Sequence, residues 1–434
     1  MNNTIIRKIP LYRQLYIDIK KHILNQTFAS GTKLESVRVL AKQMNISTTT
    51  VEKAYNQLVV EGYIESIPRS GYIVLKVDDL SKENQNQIDP IKIETFSNTS
   101  ITDNLFDFKS YKSIINRVIN YQSQKLLSDL DPRGEIELRE EIRKHVLYER
   151  DIACDANQII VGAGIQNLLH ILLSVNPKKS VSYLNPPFKK ATNIFKDYNY
   201  LLNGFESIDL LLNTKSDYIY ISPSNTYPRG DIIKIQERIL LINHAETNDT
   251  YIIEDDYNFF IRFNSYRVPS IYSLNNSNRV IYLGSFAKSL SPSHRISYMI
   301  LPKSIYDIYK DKFEDYSQGV SKLEQLSLAL FMKEGLYKRH TKKLYNAYKF
   351  KNELILNAFN NQLGECDVTY SGIESNLHII LTFGRTDSLN KFINNCAIQK
   401  LKIIILKNNT VILPYSGMLN EDIDNIVRST LYNI

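Results

Sequence analysis

The chain has 434 residues, of which 43% are hydrophobic and 23% charged, with a formal net charge of +7. That length exceeds one ordinary core and predicts two or three domains, while no run of about 18 apolar residues is available to cross a membrane and the amino terminus lacks the apolar centre of a signal peptide, so a cytoplasmic protein is expected. Cys154, Cys366 and Cys396 are scattered without metal-ligand spacing; they read as ordinary thiols, and no metal site is expected.

The charge is unevenly placed. Residues 1–76 hold 11 Lys and Arg against 5 Asp and Glu, and the rest of the chain is nearly neutral. A small basic module on a large neutral body points to a polyanion partner for the first part only. From Leu11 to Asn25, Tyr12, Leu15, Ile19 and Ile23 recur at the spacing of one helix face. Ser36 is placed to cap a second helix that turns Val37, Leu40, Ala41 and Met44 inward. After the turn Asn45–Ser47, Ser47 caps a third, with Val51, Ala54, Tyr55 and Leu58 buried and Thr48, Thr49, Thr50 and Lys53 outward. Tyr63–Ile67 and Tyr72–Leu75 read as two strands joined by a tip at 68–71.

Two helices across a short turn followed by a hairpin is the layout of a winged helix-turn-helix, in which the third helix enters the major groove of double-stranded DNA. The runs 9–15, 31–38, 50–58 and 61–66 resemble the GntR family in order and spacing. That resemblance implies phosphate contact by Arg38, further DNA contacts at Ser36, Ser47, Thr48, Thr49, Thr50 and Lys53, and a wing at Arg69, Ser70 and Gly71. Thr48 stands where family members often carry an arginine, so hydroxyl and methyl contacts replace a bidentate guanine contact, which suits a T-rich site without specifying it. The bland alternative is a small helical docking domain with a basic surface.

Residues 77–95 are polar and poor in apolar side chains, and read as a linker long enough for an intertwined or head-to-tail dimer. From residue 96 to 434 strand-like and helix-like segments alternate, as a layered α/β sheet requires. Helix Glu137–Tyr148 follows a turn at 131–134. Strand Gln158–Val161 leads through the small residues 162–164 into a helix, offering backbone N–H groups at Gly164, Ile165 and Gln166 to an anion. Strand Val181–Leu184 ends at Phe188, which either stacks on a flat ring or fills core, and strand Tyr218–Ile221 ends in a polar loop containing Asn225. Tyr251–Asp255 is a buried strand ending in carboxylates, followed by Tyr257. The apolar run 279–283 then delivers Ser285, Lys288 and Arg295 in one loop of small and hydroxylic residues. Five strand ends with polar groups match the place where open α/β sheets bind ligands. Ile296–Pro302 reads as a further strand and is followed by helices to about Phe359; strand candidates 377–382, 403–406 and 410–413 and a helix at 421–432 form a small α+β subdomain.

A lysine amine beside a phosphate cradle, with an acid and a phenol nearby, is the donor set pyridoxal 5′-phosphate needs. The two segments 251–257 and 282–295 resemble the lysine and aspartate loops of fold-type-I aminotransferases. With the GntR-like head, the chain resembles the MocR subfamily of transcription regulators. The implied organisation is a winged helix-turn-helix domain at 1–76, a linker at 77–95 and an aminotransferase-like domain at 96–434 that binds an effector and dimerises. The resemblance further implies that Lys288 holds the coenzyme as an aldimine, Asp255 pairs with the pyridine nitrogen, Tyr257 donates to the phenolic oxygen and Phe188 stacks on the ring. Ser285, Arg295 and the amides of Gly164, Ile165 and Gln166 would hold the phosphate, with Asn225 nearby and Asp256 structural. The C-terminal subdomain has no arginine in the pattern that clamps a substrate carboxylate; Arg385 and Lys407 are the nearest cations. The expected function is a homodimeric operator-binding regulator, not an enzyme, that senses the coenzyme, an amine or an amino acid. The alternatives are a working aminotransferase with an accessory DNA-binding head, and a coenzyme-free repressor that uses the body as a scaffold.

Overall fold

The structure is a computed structural model that describes residues 10–67, 71–75, 105–263, 268–274, 278–291, 293–313, 316–363, 367–373 and 376–434. The expected linker at 77–95, the wing residues Arg69 and Ser70, and Cys366 lie outside the described residues. The chain divides into two compact units, 1–94 and 95–434.

In the first unit, α1 (Leu11–Leu24), α2 (Val37–Gln43) and α3 (Thr48–Val60) precede an antiparallel hairpin of β1 (Ile64–Ile67) and β2 (Gly71–Val74). Both expected caps form: Ser36 Oγ accepts from the Val39 amide at 3.4 Å and Ser47 Oγ from the Thr50 amide at 3.2 Å, satisfying donors that a helix start leaves unpaired. Leu15, Ile19, Ile23, Ala41, Val51, Ala54, Tyr55, Leu58, Ile64 and Val74 close a small core. Two residues expected to face inward do not. Met44 is 47% exposed because it is the residue at which the chain leaves α2, and Tyr12 is 37% exposed because the buried seam of α1 begins only at Leu15.

The second unit is built on a sheet of seven strands: β3 (Ile159–Gly162), β4 (Ser180–Leu184), β5 (Leu201–Phe205), β6 (Tyr218–Ile221), β7 (Tyr251–Asp255), β8 (Val280–Ser285) and β9 (Ser297–Ile300). Their spatial order is β3-β9-β8-β7-β6-β4-β5, with β9 antiparallel to both of its neighbours and the others parallel. A sheet covered on both sides buries both faces of each strand, which is why these segments read as nearly continuous apolar runs. Alternate residues enter different cores. Ile252, Val280 and Tyr282 pack with the helix Ile136–Arg150, whereas Ile253, Ile281 and Leu283 pack with the helix Ile165–Val175.

A third core belongs to the C-terminal subdomain, whose sheet runs β10 (Val368–Ser371), β11 (His378–Phe383), β13 (Thr410–Pro414), β12 (Ile404–Ile405). The long helix Leu336–Leu363 supplies Leu344, Tyr348, Ile355 and Phe359 to it. No helix among the described residues is long and apolar enough to cross a membrane.

Candidate functional site

The parity of β7 sets the middle one of three consecutive acids apart from the other two. Glu254 lies on the side of the Ile252 core and accepts from the backbone amides of Ile271 and Tyr272 at 3.0 and 2.9 Å. Asp256 faces Arg150 at 2.7 Å and accepts from Tyr282 Oη at 2.7 Å. Arg150 in turn donates to the carbonyl of Val268 and to Ser224 Oγ, beside Asn225. Asp256 is thus a structural anchor, tying the end of β7 to the loop after β6.

Asp255 projects the other way, toward the helix Ile165–Val175. It is 2% exposed, and its Oδ2 accepts from the hydroxyl of Tyr220. Its Oδ1 is buried with no hydrogen-bond partner. Burial, opposed by Tyr220 and reinforced by the charge of Asp256, pushes the carboxyl up to about 7. A buried acceptor in this state is stabilised by any cationic donor that reaches it.

The loops around this acid form the rest of the site. Gly164 caps the helix Ile165–Val175 with φ +94°, and a Cβ built on it would lie 2.7 Å from Arg295 Nη2. The guanidinium therefore lies directly against the turn whose next amides belong to Ile165 and Gln166. Ser285 ends β8 opposite Ser297, whose hydroxyl donates to Ser285 Oγ at 3.0 Å. Gly164 and Arg295 thus combine a helix N-terminus with a cation, an anion cradle that a side chain at 164 would fill.

Lys288 is an exposed residue of the loop after β8, yet the protein packed around its amine disfavours the charged form and, with Lys190, lowers its pKa. Lys190 follows the exposed Phe188, and its carbonyl accepts from Gln166 Nε2 at 3.4 Å, so the turn after β4 closes against the cradle. Asn225 is buried, and Tyr257 feels both Asp255 and Tyr227, burial raising its phenol. From the small subdomain, His378 Nε2 donates to the Pro228 carbonyl at 2.7 Å; burial, with the charge of Lys288 adding to it, pushes the imidazole down to about 4. Arg385 has a side chain 72% exposed and 3.8 Å from Asp367, and Lys407 is exposed. Among the described residues, no group of three or more His, Cys, Asp and Glu could hold a metal ion.

Sequence reasoning missed Tyr220, Lys190 and His378. Tyr220 alternates with Ile219 and Ile221 and pairs with Ile253, so strand parity was the signal that could have placed it on the side of Asp255. In the DNA-binding candidate, Arg38, Thr48, Thr49 and Lys53 are exposed, Thr50 is half-buried beneath the Ser47 cap, and Gly71 opens β2 with φ +102°, a backbone angle that favours glycine.

Comparison with known proteins gives independent bearings. Residues 11–74 match the family model of bacterial regulatory proteins of the gntR family. The chain is 36% identical to an uncharacterized HTH-type transcriptional regulator of Bacillus subtilis, YdeL, over 88% of this chain and 87% of that one. It is 25% identical to the probable rhizopine catabolism regulatory protein MocR of Rhizobium meliloti, over 87% of this chain and 82% of that one. Among solved structures, an archaeal alanine:glyoxylate aminotransferase matches with a TM-score of 0.69 and 20% identity, covering 77% of this chain and 89% of that one, a likeness of fold.

Proposed function

This chain belongs to the MocR-type regulators of the GntR family, DNA-binding transcription regulators with an aminotransferase-like domain, and on that premise we propose that its larger unit binds pyridoxal 5′-phosphate at Lys288 and converts occupancy of the site into altered operator binding. The single observation that carries the reading is the buried, unpartnered Oδ1 of Asp255 in the same unit as the Gly164–Arg295 cradle. A scaffold with no ligand has no use for an acid held at such a cost. Bound there, the coenzyme would supply an aldehyde able to condense with a primary amine.

The chain's own groups divide the work. The amides after Gly164, Ser285 and Arg295 would neutralise the phosphate. Asp255 would accept a hydrogen bond from the protonated ring nitrogen, and that positive partner would hold its carboxyl in the ionised form. Tyr220 holds the acid in place, and Tyr257 would face the phenolic oxygen. Phe188 would cover the ring, and Asn225, fixed by the Arg150–Ser224 bond, would lie beside it. The depressed pKa of Lys288 leaves more of the neutral, nucleophilic amine at physiological pH. The sensed molecule would be the coenzyme itself, or an amine or amino acid that takes the place of Lys288 on it. Two such chains acting as a dimer, in head-to-tail arrangement, would present two DNA-binding heads. Arg38, Ser36, Ser47, Thr48, Thr49, Thr50 and Lys53 would meet the operator, with Arg69, Ser70 and Gly71 as the wing.

The test is hydride reduction of the coenzyme-loaded protein followed by peptide mass spectrometry, paired with operator binding in the presence and absence of coenzyme and a panel of amines. A pyridoxyl adduct on Lys288, lost in Lys288→Ala, together with a ligand-dependent change in operator affinity, is the expected result. Absence of the adduct, or operator affinity unchanged by every ligand, overturns the reading.

A further inference from the structure

The hydrogen bonds on α3 separate the side chains that hold the DNA-binding unit together from those left for a ligand. Val51, Ala54, Tyr55 and Leu58 are buried, and Thr48, Thr49, Glu52, Lys53, Asn56 and Gln57 are exposed. Several of the polar groups are already engaged. Ser47 Oγ lies 2.7 Å from Thr50 Oγ1 and accepts from Thr49 Oγ1 at 3.2 Å. Gln57 donates to Glu61 at 2.8 Å, and Lys20 and Tyr16 converge on the same carboxylate. The side chains of Thr48, Glu52, Lys53 and Asn56 remain without a hydrogen bond or ion pair among the described residues.

Lys53 and Thr48 on that face are what a polyanion asks for, but Glu52 is not. It is the only acid within α3. On the surface that enters a groove walled by phosphates, its charge weakens binding to every DNA sequence alike. What a carboxylate adds is discrimination, because it only accepts hydrogen bonds. In the major groove, cytosine and adenine offer an exocyclic amine as donor, whereas guanine and thymine put a carbonyl oxygen there. An oxygen facing an oxygen without an intervening proton leaves both unpaired and repels.

We propose that Glu52 is a specificity-determining residue that selects an amino base, cytosine or adenine, against guanine or thymine at one position of the operator, at the expense of overall affinity. The test uses the full chain and a randomised pool of duplex DNA, with wild type, Glu52→Gln, Glu52→Ala and Lys53→Ala. Glu52 is exposed, so its replacement leaves the core of α3 intact. Wild type is expected to enrich cytosine or adenine at one position by roughly 10-fold, the scale of one good base contact. In Glu52→Ala that preference falls toward none, the other positions keep theirs, and affinity for unrelated DNA rises. Glu52→Gln, which can both donate and accept, is expected to shift the same position toward adenine. Lys53→Ala is expected to weaken binding to all sequences and flatten the salt dependence without changing any base preference. If Glu52→Ala selects the same bases as wild type at every position and differs only in binding all DNA more tightly, the carboxylate is merely repulsive and the proposal is overturned.

Discussion

Replacing Asp255 by asparagine should stabilise the protein and cripple its site at the same time. In the folded coenzyme-free chain the carboxyl is pushed from an ordinary 3.8 to about 7, chiefly by burial. A gap of about three pH units corresponds to about 4 kcal/mol of penalty against the ionised acid. The direction follows from proton binding. The folded state holds the proton more tightly than the unfolded chain, so stability is undiminished below about pH 4, declines between there and about pH 7, and then levels off. Asparagine does not titrate and can still accept from Tyr220. The stability difference between Asp255→Asn and wild type should therefore widen by roughly 2–3 kcal/mol between pH 5 and pH 8 in the variant's favour. Urea denaturation of both coenzyme-free proteins at the two pH values measures it, and taking the difference cancels the neighbouring Glu254, which burial also raises to about 7. The same variant loses the charged acceptor proposed for the ring nitrogen and should bind pyridoxal phosphate roughly 10-fold or more weakly. A pH-independent difference, or undiminished coenzyme affinity, would refute the assignment of Asp255 as the costly, ligand-awaiting acid.

Gly164→Ala forces a side chain into a glycine-only backbone region, at roughly 1–3 kcal/mol, and against the Arg295 guanidinium. Titration should show a far larger loss of affinity for pyridoxal phosphate than for pyridoxal, and equal losses would move the phosphate elsewhere. Arg150→Met leaves the 1% exposed Asp256 without its counter-charge and should cost about 3–5 kcal/mol by urea denaturation. The double variant Arg150→Met/Asp256→Leu should recover much of that cost; a double variant as unstable as the single one would show that the ion pair is not the cause. Ser47→Ala removes the cap of α3, worth about 1 kcal/mol. Amide exchange at Thr50 should quicken about fivefold and be restored by Ser47→Thr, while unchanged exchange would mean that the cap does not hold the helix start.

Much of the architecture was readable from periodicity, because in α3 and in β6 to β8 the apolar spacing and the local propensity agree. Cap residues were readable for a simpler reason, since Ser36 and Ser47 act within their own turn. The misses have physical causes. Leu201–Phe205 carries an exposed Leu201, an asparagine and a glycine, so β5 at the edge of the sheet shows no alternation. Arg139 and Arg238 are 1% and 0% exposed, although arginine ordinarily signals surface; Arg238 is buried because it satisfies the carbonyls of Ile233, Pro223 and Pro269, which lie far apart in the sequence. Tyr220 could not be told from core until the pairing of β6 with β7 fixed which side it faced. His378 joins the neighbourhood of Lys288 only through the packing of a distant subdomain.

The alternation at the end of β7 has an evolutionary corollary. Of three adjacent acids, odd or even position along an extended chain sends the middle one to one side of the sheet and its two neighbours to the other, and inserting or deleting one residue would exchange the sides. The acid proposed for the ring nitrogen would then turn to the side of Arg150, and the anchoring acid to the side of Tyr220. Descendants of this sequence can change these residues one at a time, but they cannot change how many residues the strand contains.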